Sequence, residues 1–555
     1  MDKSIAYANN DVAFIVWSYA EPIADCLGFA IYRHDYLANS VQPLPAWVGF
    51  EGDKNKDWQP HTTEEWPIQK FSWKDVTASR GRTYSYDIVP MVGKPGSLTP
   101  LKERSLSTNK VTLQPTYGSF SAYFNRGILS TQFVSHQIPA GPSGAPNYKT
   151  LISRIDQPGD PLRLALAGQM LEALQLLLNR AANEGGKCYC ALYELNDPDL
   201  VKALTGNKRV ALILSNTGPD DATDKAARQT LHESGIEIYD RMLANGHIGH
   251  NKFIVYVDAA NKPQAVLSGS ANWTYTAICG QSNNSIIINS LYLAALYFDY
   301  WQRIKAEGDD QSASFRSEND QAHDVTIDGN DVTVWFSPNT KAKSKTSGAA
   351  APDDMKQAFE LISAAKSGIL FLLFQPGSPS VADAIKQAQE ANGDLFIRGA
   401  ATDPNVAKGF DDVKLFHKPG AEPDTVVAAT AITDQFSYWQ KELLKSSPDA
   451  HAIIHDKIVV IDPFSPDCVV ITGSHNQGYR ASYNNDENLL FIRGNRALAA
   501  AYATHVIDVY DHYRWRFVLA QQKKAAWTGL DSTAAWQDKY FAKDSPHQQE
   551  LAFWL

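Results

Sequence analysis

HNKFIVYVD, residues 250–258, and HDKIVVID, residues 455–462, write one pattern twice. Each is His-x-Lys, an apolar run and an aspartate. Each continues through a turn and a second apolar run into Gly-Ser-x-Asn, as GSAN from Gly269 and GSHN from Gly473. The steps from Asp258 to Gly269 and from Asp462 to Gly473 are equal. The apolar runs are short and β-branched, which reads as strand. On a strand, residues i and i+2 share a face, so His250 and Lys252 project together, as do His455 and Lys457. The likeness runs on through NSLYLAALYFDYW after the first copy and NRALAAAYATHVIDVY after the second. A whole unit is therefore duplicated. The first copy has one extra residue between Lys252 and Asp258, and such a shift exchanges strand faces unless a bulge absorbs it.

Working outward, residues 1–115 read as β. DVAFIVWSY, LGFAIYRHD and TYSYDIVPMV are aromatic, β-branched runs set between Pro, Gly and charged clusters, the texture of a β-sandwich. Residues 116–311 alternate helix and strand signals, as α/β units do. The run PLRLALAGQMLEALQLLLNRAANEG reads as one helix ending near Gly185. The polar stretch 312–324 reads as a linker. Residues 325–520 repeat the α/β order, and 521–555 form an aromatic-rich C-terminal tail expected to lie against the body. The fold class is α/β: two pseudo-twofold-related units with mixed sheets flanked by helices, preceded by a β-sandwich.

The 555 residues carry a net charge of −10, which leans against a protein that grips nucleic acid mainly through its phosphates. No apolar run reaches the ~18–20 residues of a membrane span. The first residues show no signal-peptide pattern. The expected location is the cytoplasm, or outside the cell by a route needing no such signal. Five sparse cysteines suggest neither a disulfide framework nor a zinc site. No Asp/Glu/His cluster calls for a metal, and no cofactor is expected.

The paired motifs resemble the phospholipase D superfamily, whose signature is H-x-K-x4-D followed by G-S-x-N. The second copy matches it fully through His455, Lys457, Asp462, Gly473, Ser474 and Asn476. The first departs only in the lengthened step to Asp258. Together the resemblance spans most of residues 117–520. A second, weaker one, on GFAIYR and W-x-D before TYSYDIVP, is to fibronectin type III domains. The superfamily resemblance implies a phosphodiesterase in which two histidines meet at the seam between the units. One imidazole attacks phosphorus and the other protonates the leaving alcohol. Lys252, Lys457, Asn272 and Asn476 would hold phosphate oxygens, with Ser270, Ser474, Asp258 and Asp462 in support. Glu487, in NNDENLLFI, would hold the second ring nitrogen of a histidine. The matching place in the first copy offers only Asn283 or Asn284, so the site is asymmetric. Family precedent makes His250 the nucleophile, though the Glu487 asymmetry leaves either histidine open.

His475 and Trp273 border the two Gly-Ser-x-Asn motifs and are candidate substrate-lining residues. His247 and His451 precede the motifs and read more simply as satisfied histidines. Lys341, Lys343 and Lys345 form a basic loop, ordinarily just solvated. The expected partner is a phosphodiester substrate, phospholipid slightly ahead of nucleic acid, with peripheral contact to a membrane surface. With both half-sites in one chain, the expected state is a monomer. A nuclease is the alternative, and a noncatalytic binding protein the third reading.

Overall fold

The computed structural model describes residues 2–55, 59–125, 127, 148–217, 221–244, 246–341, 350–402, 426–428, 454–521, 529–543 and 545–555. Two eight-stranded sheets dominate it. The first holds, in chain order, Thr116–Tyr117, Phe120–Phe124, Lys187–Tyr193, Val210–Thr217, Glu237–Leu243, Lys252–Val257, Pro263–Gly269 and Asn284–Asn289. The second holds His323–Ile327, Asn330–Ser337, Gly368–Leu373, Phe396–Ala401, Val426–Ala428, Ile458–Ile461, Val469–Gly473 and Glu487–Arg493. Both run in the same spatial order: first, second, eighth, seventh, sixth, third, fourth, fifth. The third, fourth and fifth strands are parallel, and the sixth meets the third antiparallel. The sequence duplication is thus a duplication of topology.

Alternation along the sixth strands sorts their side chains between layers. Phe253, Val255 and Val257 join Ile458 and Val460 in one core shared by the two sheets. Ile254 and Tyr256 turn instead to the helices of the first unit, and Val459 and Ile461 to those of the second. The shared core is filled out by helices Leu291–Glu307 and Arg496–Gln521, which supply Tyr297, Tyr300, Tyr502 and Val506. The run expected as one helix from Pro161 is two, Pro161–Ala167 and Met170–Glu184. Gly168 lies between them at φ 59, a left-handed conformation that closes the first helix through its N–H to the Leu164 carbonyl.

Polar pairs cross the seam in matched fashion. Ser268 Oγ (2.6 Å) and Tyr297 OH (2.9 Å) donate to Asn488 Oδ1. At the corresponding place, Asn284 Nδ2 donates to Thr472 Oγ1 at 2.8 Å. Arg241 and Asp486 form a bidentate ion pair between the units, at 2.6 and 3.2 Å, each side chain 1% exposed. Removing one partner strands a buried charge. Arg241→Ala is therefore expected to lower unfolding free energy by about 3–5 kcal/mol, read from urea denaturation.

The N-terminal region is two facing sheets. One contains Lys3–Ala8, Ala13–Ser18 and Ser72–Asp75; the other is built on Cys26–Asp35 and Thr83–Lys94. They enclose Trp17, Phe29, Phe71 and Tyr86. The C-terminal segment closes over this sandwich: Trp536 Nε1 donates to the Cys26 carbonyl, and Tyr7 OH to that of Trp554. Residues 312–324, which read as a linker, hold helix Ala313–Asn319 and the start of strand His323–Ile327. Ser312 caps that helix, and its Arg316 is buried and donates to the Tyr483 carbonyl. Its polar residues serve the seam. No helix among the described residues is long and apolar enough to cross a membrane. All five cysteines are buried free thiols.

Candidate active site

The site sits where the sixth strands begin, and each entrance is docked by the other unit. Asp486 N–H donates to the Ile248 carbonyl at 3.0 Å, two residues before His250. His455 N–H donates to the Ser282 carbonyl at 2.9 Å. This brings His250 and His455 together, with ring centroids 6.3 Å apart and planes at 70°. Each histidine is 3% exposed. Lys252 Nζ donates to the His250 carbonyl at 2.7 Å, and Lys457 Nζ to that of His455 at 2.7 Å. An aromatic ring at the end of each third strand backs the pair. Tyr193 lies 5.2 Å from His250 and Phe374 lies 4.8 Å from His455, and each ring also carries the local lysine.

The second ring nitrogens are held crosswise. His250 Nδ1 meets Glu487 Oε2 at 3.1 Å, and His455 Nδ1 meets Asn283 Oδ1 at 2.9 Å. Glu487 is itself fixed by Asn485 Nδ2 at 2.8 Å. Ser270 Oγ donates to Asn283 Oδ1 and accepts from Asn284 N–H. Ser474 Oγ accepts from Asn488 N–H. Both serines thus brace the neighbouring strand and stand behind the groups that hold the rings. Asn272 Nδ2 donates to Glu194 at 2.5 Å, while the Oδ1 atoms of Asn272 and Asn476 are buried without a partner among the described residues. Such orphaned oxygens fit a site completed by another molecule.

Charge indicates what the site would bind. Burial, then Lys252, pushes His250 down to about 4 against the pull of Glu487. Burial with Lys457, Lys252 and His250 holds His455 well below its usual range, opposed by the backbone at Ser270. Burial brings Lys252 down to about 7, with Glu487 and Glu194 resisting, and depresses Lys457 strongly. Four groups that could be cations are crowded where their charged forms are disfavoured. A phosphate-like anion between them would restore protons. Tungstate binding at pH 7 is therefore expected to take up protons, seen as a binding heat that changes with the buffer's ionisation heat. Identical heats in two buffers would reject this electrostatic picture.

The two aspartates stand apart from the histidines, at the far ends of the same strands. Asp462 Oδ1 accepts from Ser367 and Gly368 N–H, and Oδ2 from Lys366 N–H, so it fastens the entry to the third strand. In the first unit the ladder places Val257, not Asp258, opposite the third strand's start at Lys187. Asp258 is displaced into its own hairpin, where Oδ1 accepts from Ala260 and Lys262 N–H. A register shift between Tyr256 and Val257 absorbs the difference in length, leaving the histidine end in register. Both aspartates support the fold and neither reaches the cleft.

Two lining candidates are corrected. His475 Nδ1 accepts from Gln477 N–H at 2.9 Å, which leaves its proton on Nε2, 3.1 Å from Ser482 Oγ and 3.4 Å from Asp354. Both nitrogens are spent within the second unit. Trp273 is fully buried in the first unit's outer core, because its backbone pairs with Glu194 and Asn196 and turns the indole inward. His247 is held by Gln311 and the Asn484 carbonyl. His451, Lys343 and Lys345 lie outside the described residues. The sequence reading missed Tyr193, Phe374 and Glu194. All three lie at the ends of third strands far upstream of the motifs, and only the corresponding pairs YELN and FQPG hint at them.

Residues 177–305 and 359–507, together half of the chain, match the family described as cardiolipin synthase, PLD-like domain. No curated protein matches. Among solved structures, Nuc, a phospholipase D family member from Salmonella typhimurium, is 27% identical over 24% of this chain and 88% of its own, with a TM-score of 0.21. Phosphatidylserine synthase from Haemophilus influenzae is 12% identical over 62% of this chain and 85% of its own, with a TM-score of 0.40. Yeast tyrosyl-DNA phosphodiesterase is 10% identical over 58% and 88%, with a TM-score of 0.30.

Proposed function

Because this chain belongs to the phospholipase D-like family, we propose that it cleaves a phosphodiester through a covalent phosphohistidine on His250. The observation that carries the reading is the crossed pairing of the two ring nitrogens. Glu487 holds the Nδ1 proton of His250, so Nε2 keeps its lone pair and faces no protein partner among the described residues. The same carboxylate stabilises the positive ring that results when Nε2 bonds to phosphorus. His455 has only an amide oxygen at Nδ1, so its protonated ring is given no carboxylate there to hold the proton. It gives its proton to the leaving oxygen as the P–O bond breaks. It then takes a proton from water, whose oxygen attacks phosphorus and releases His250. An alcohol in place of that water yields a transferred phosphodiester. Lys252 and Lys457 neutralise the non-bridging oxygens, and Asn272 and Asn476 bind them or the entering nucleophile.

A phospholipid is the favoured substrate. The net charge of −10 disfavours a long polyanion, and the matched family's description names a lipid synthase. The test is head-group release from mixed phospholipid vesicles in EDTA. Release is expected to continue, since the two lysines occupy the place a cation would. Activity that vanishes with chelation and returns with added metal would overturn the mechanism. Release from vesicles alone supports the lipid reading, and cleavage of single- or double-stranded DNA alone replaces it with a nuclease. Binding of either without turnover would favour the noncatalytic reading.

A further inference from the structure

A second cluster of cations lies between the N-terminal sandwich and the C-terminal helices, around a cavity of about 200 Å³. Its lining includes the aromatic residues Phe71, Tyr540 and Trp554. Lys70, Arg514, Lys539 and His547 line it as well. Asp511 and Glu550 also line it and offset part of that charge: Asp511 lies 3.4 Å from Lys74, which is nearer Asp508 at 2.8 Å, and Glu550 lies 3.6 Å from Arg398. Among the described residues, neither Lys70 nor Lys539 makes an ion pair. Both side chains keep surface open to solvent, yet protein atoms crowd around their ammonium groups.

These cations disfavour one another. Burial lowers Lys70, and Lys74, Arg514 and Lys539 add to the effect against Asp511. Burial and Arg514 lower Lys539. Burial brings His547 down to about 4; Glu550 resists, and Lys539, Arg514 and Arg398 add to the fall. Like charges that line one cavity repel, and a bound anion would relieve that repulsion. A water occupies ~30 Å³ of liquid, so the space suits a small ligand and not a chain. Lysine ammonium groups bind phosphate as point charges, and the aromatic wall suits an apolar substituent on it.

We propose that this cavity is a second anion site, binding a phosphate monoester or free phosphate between Lys70 and Lys539, apart from the histidine cleft. Its lining residues share nothing with that cleft, so the proposal is independent of the phosphodiesterase reading. The experiment is calorimetric titration of the full chain with inorganic phosphate. Two classes of site are expected in the wild type. Lys457→Ala should remove one class and K70Q/K539Q the other, each lysine weakening cavity binding by about tenfold, the order of one charged hydrogen bond. Head-group release should remain within about twofold in K70Q/K539Q, and its melting temperature without phosphate should equal or exceed the wild type's, since repulsion is relieved. A K70Q/K539Q isotherm identical to the wild type's overturns the proposal. Tungstate-soaked wild-type crystals provide a reading that needs no variant: heavy-atom density between Lys70 and Lys539 supports it, and density only at His250 and His455 overturns it. Cosedimentation with phosphatidic acid vesicles, weakened in K70Q/K539Q, would assign the phosphate to a lipid; unchanged cosedimentation beside altered phosphate binding would assign it to a soluble molecule.

Discussion

His455→Ala is expected to slow cleavage of a natural phosphodiester by about 10²–10⁴-fold, the range a positioned general acid supplies, and His250→Ala to abolish it. The informative contrast is the leaving group. A p-nitrophenyl ester departs without needing a proton, so it should recover much of the first-step rate in His455→Ala and nothing in His250→Ala. In His455→Ala the second step still lacks its base, so phosphohistidine should accumulate on His250 and be seen by intact-protein mass and peptide mapping. Label on His455 in the His250→Ala protein would reverse the two roles. Near-wild-type turnover in either variant, with an unchanged melting temperature, would sink the two-histidine mechanism altogether. Both rings are 3% exposed, so the melting temperature must accompany every rate.

Glu487→Gln should be the second largest loss, about 10²–10⁴-fold in kcat, judged from carboxylates that orient imidazoles elsewhere. The amide can still accept at His250 Nδ1, as Asn283 does at His455, so geometry is largely kept and charge is lost. The direction with pH follows. Glu487 raises the proton affinity of His250, so its removal lowers that affinity further. The acidic limb of kcat/KM set by His250 should therefore move to lower pH in Glu487→Gln, while its plateau falls. A limb that moves upward, or a plateau that stays, would show that the carboxylate does not act through His250. Asn283→Asp is the complementary variant: it adds a charge at His455 and should make that ring a weaker acid.

The duplicated motifs made the fold and the two His-Lys pairs legible in the sequence, because a strand's period of two fixes which residues share a face. The same logic flagged Asp258: one extra residue before it, and the ladder puts Val257 where its counterpart Asp462 stands. The crossed pairing was only half legible. Glu487 and the choice of Asn283 or Asn284 could be read, but which ring each held depends on how two sheets dock, and no local pattern encodes that. His475 and Trp273 looked like lining residues by adjacency. The turns that carry them point one into a hydrogen-bond network and the other into a core. Tyr193 and Phe374 sit at strand ends some sixty to eighty residues upstream of the histidines they adjoin, and Glu194 about as far upstream of Asn272, beyond the reach of motif spacing.

Each histidine is steered by a residue belonging to the other half, and each entrance strand is latched by the other half's loop. The two units therefore act as the two keys of one lock. Made as separate polypeptides, each would carry an imidazole with no guide for it and stay silent. Mixed, they would regain turnover only as fast and as tightly as they found each other. Enzyme activity would then report directly on the association of the halves.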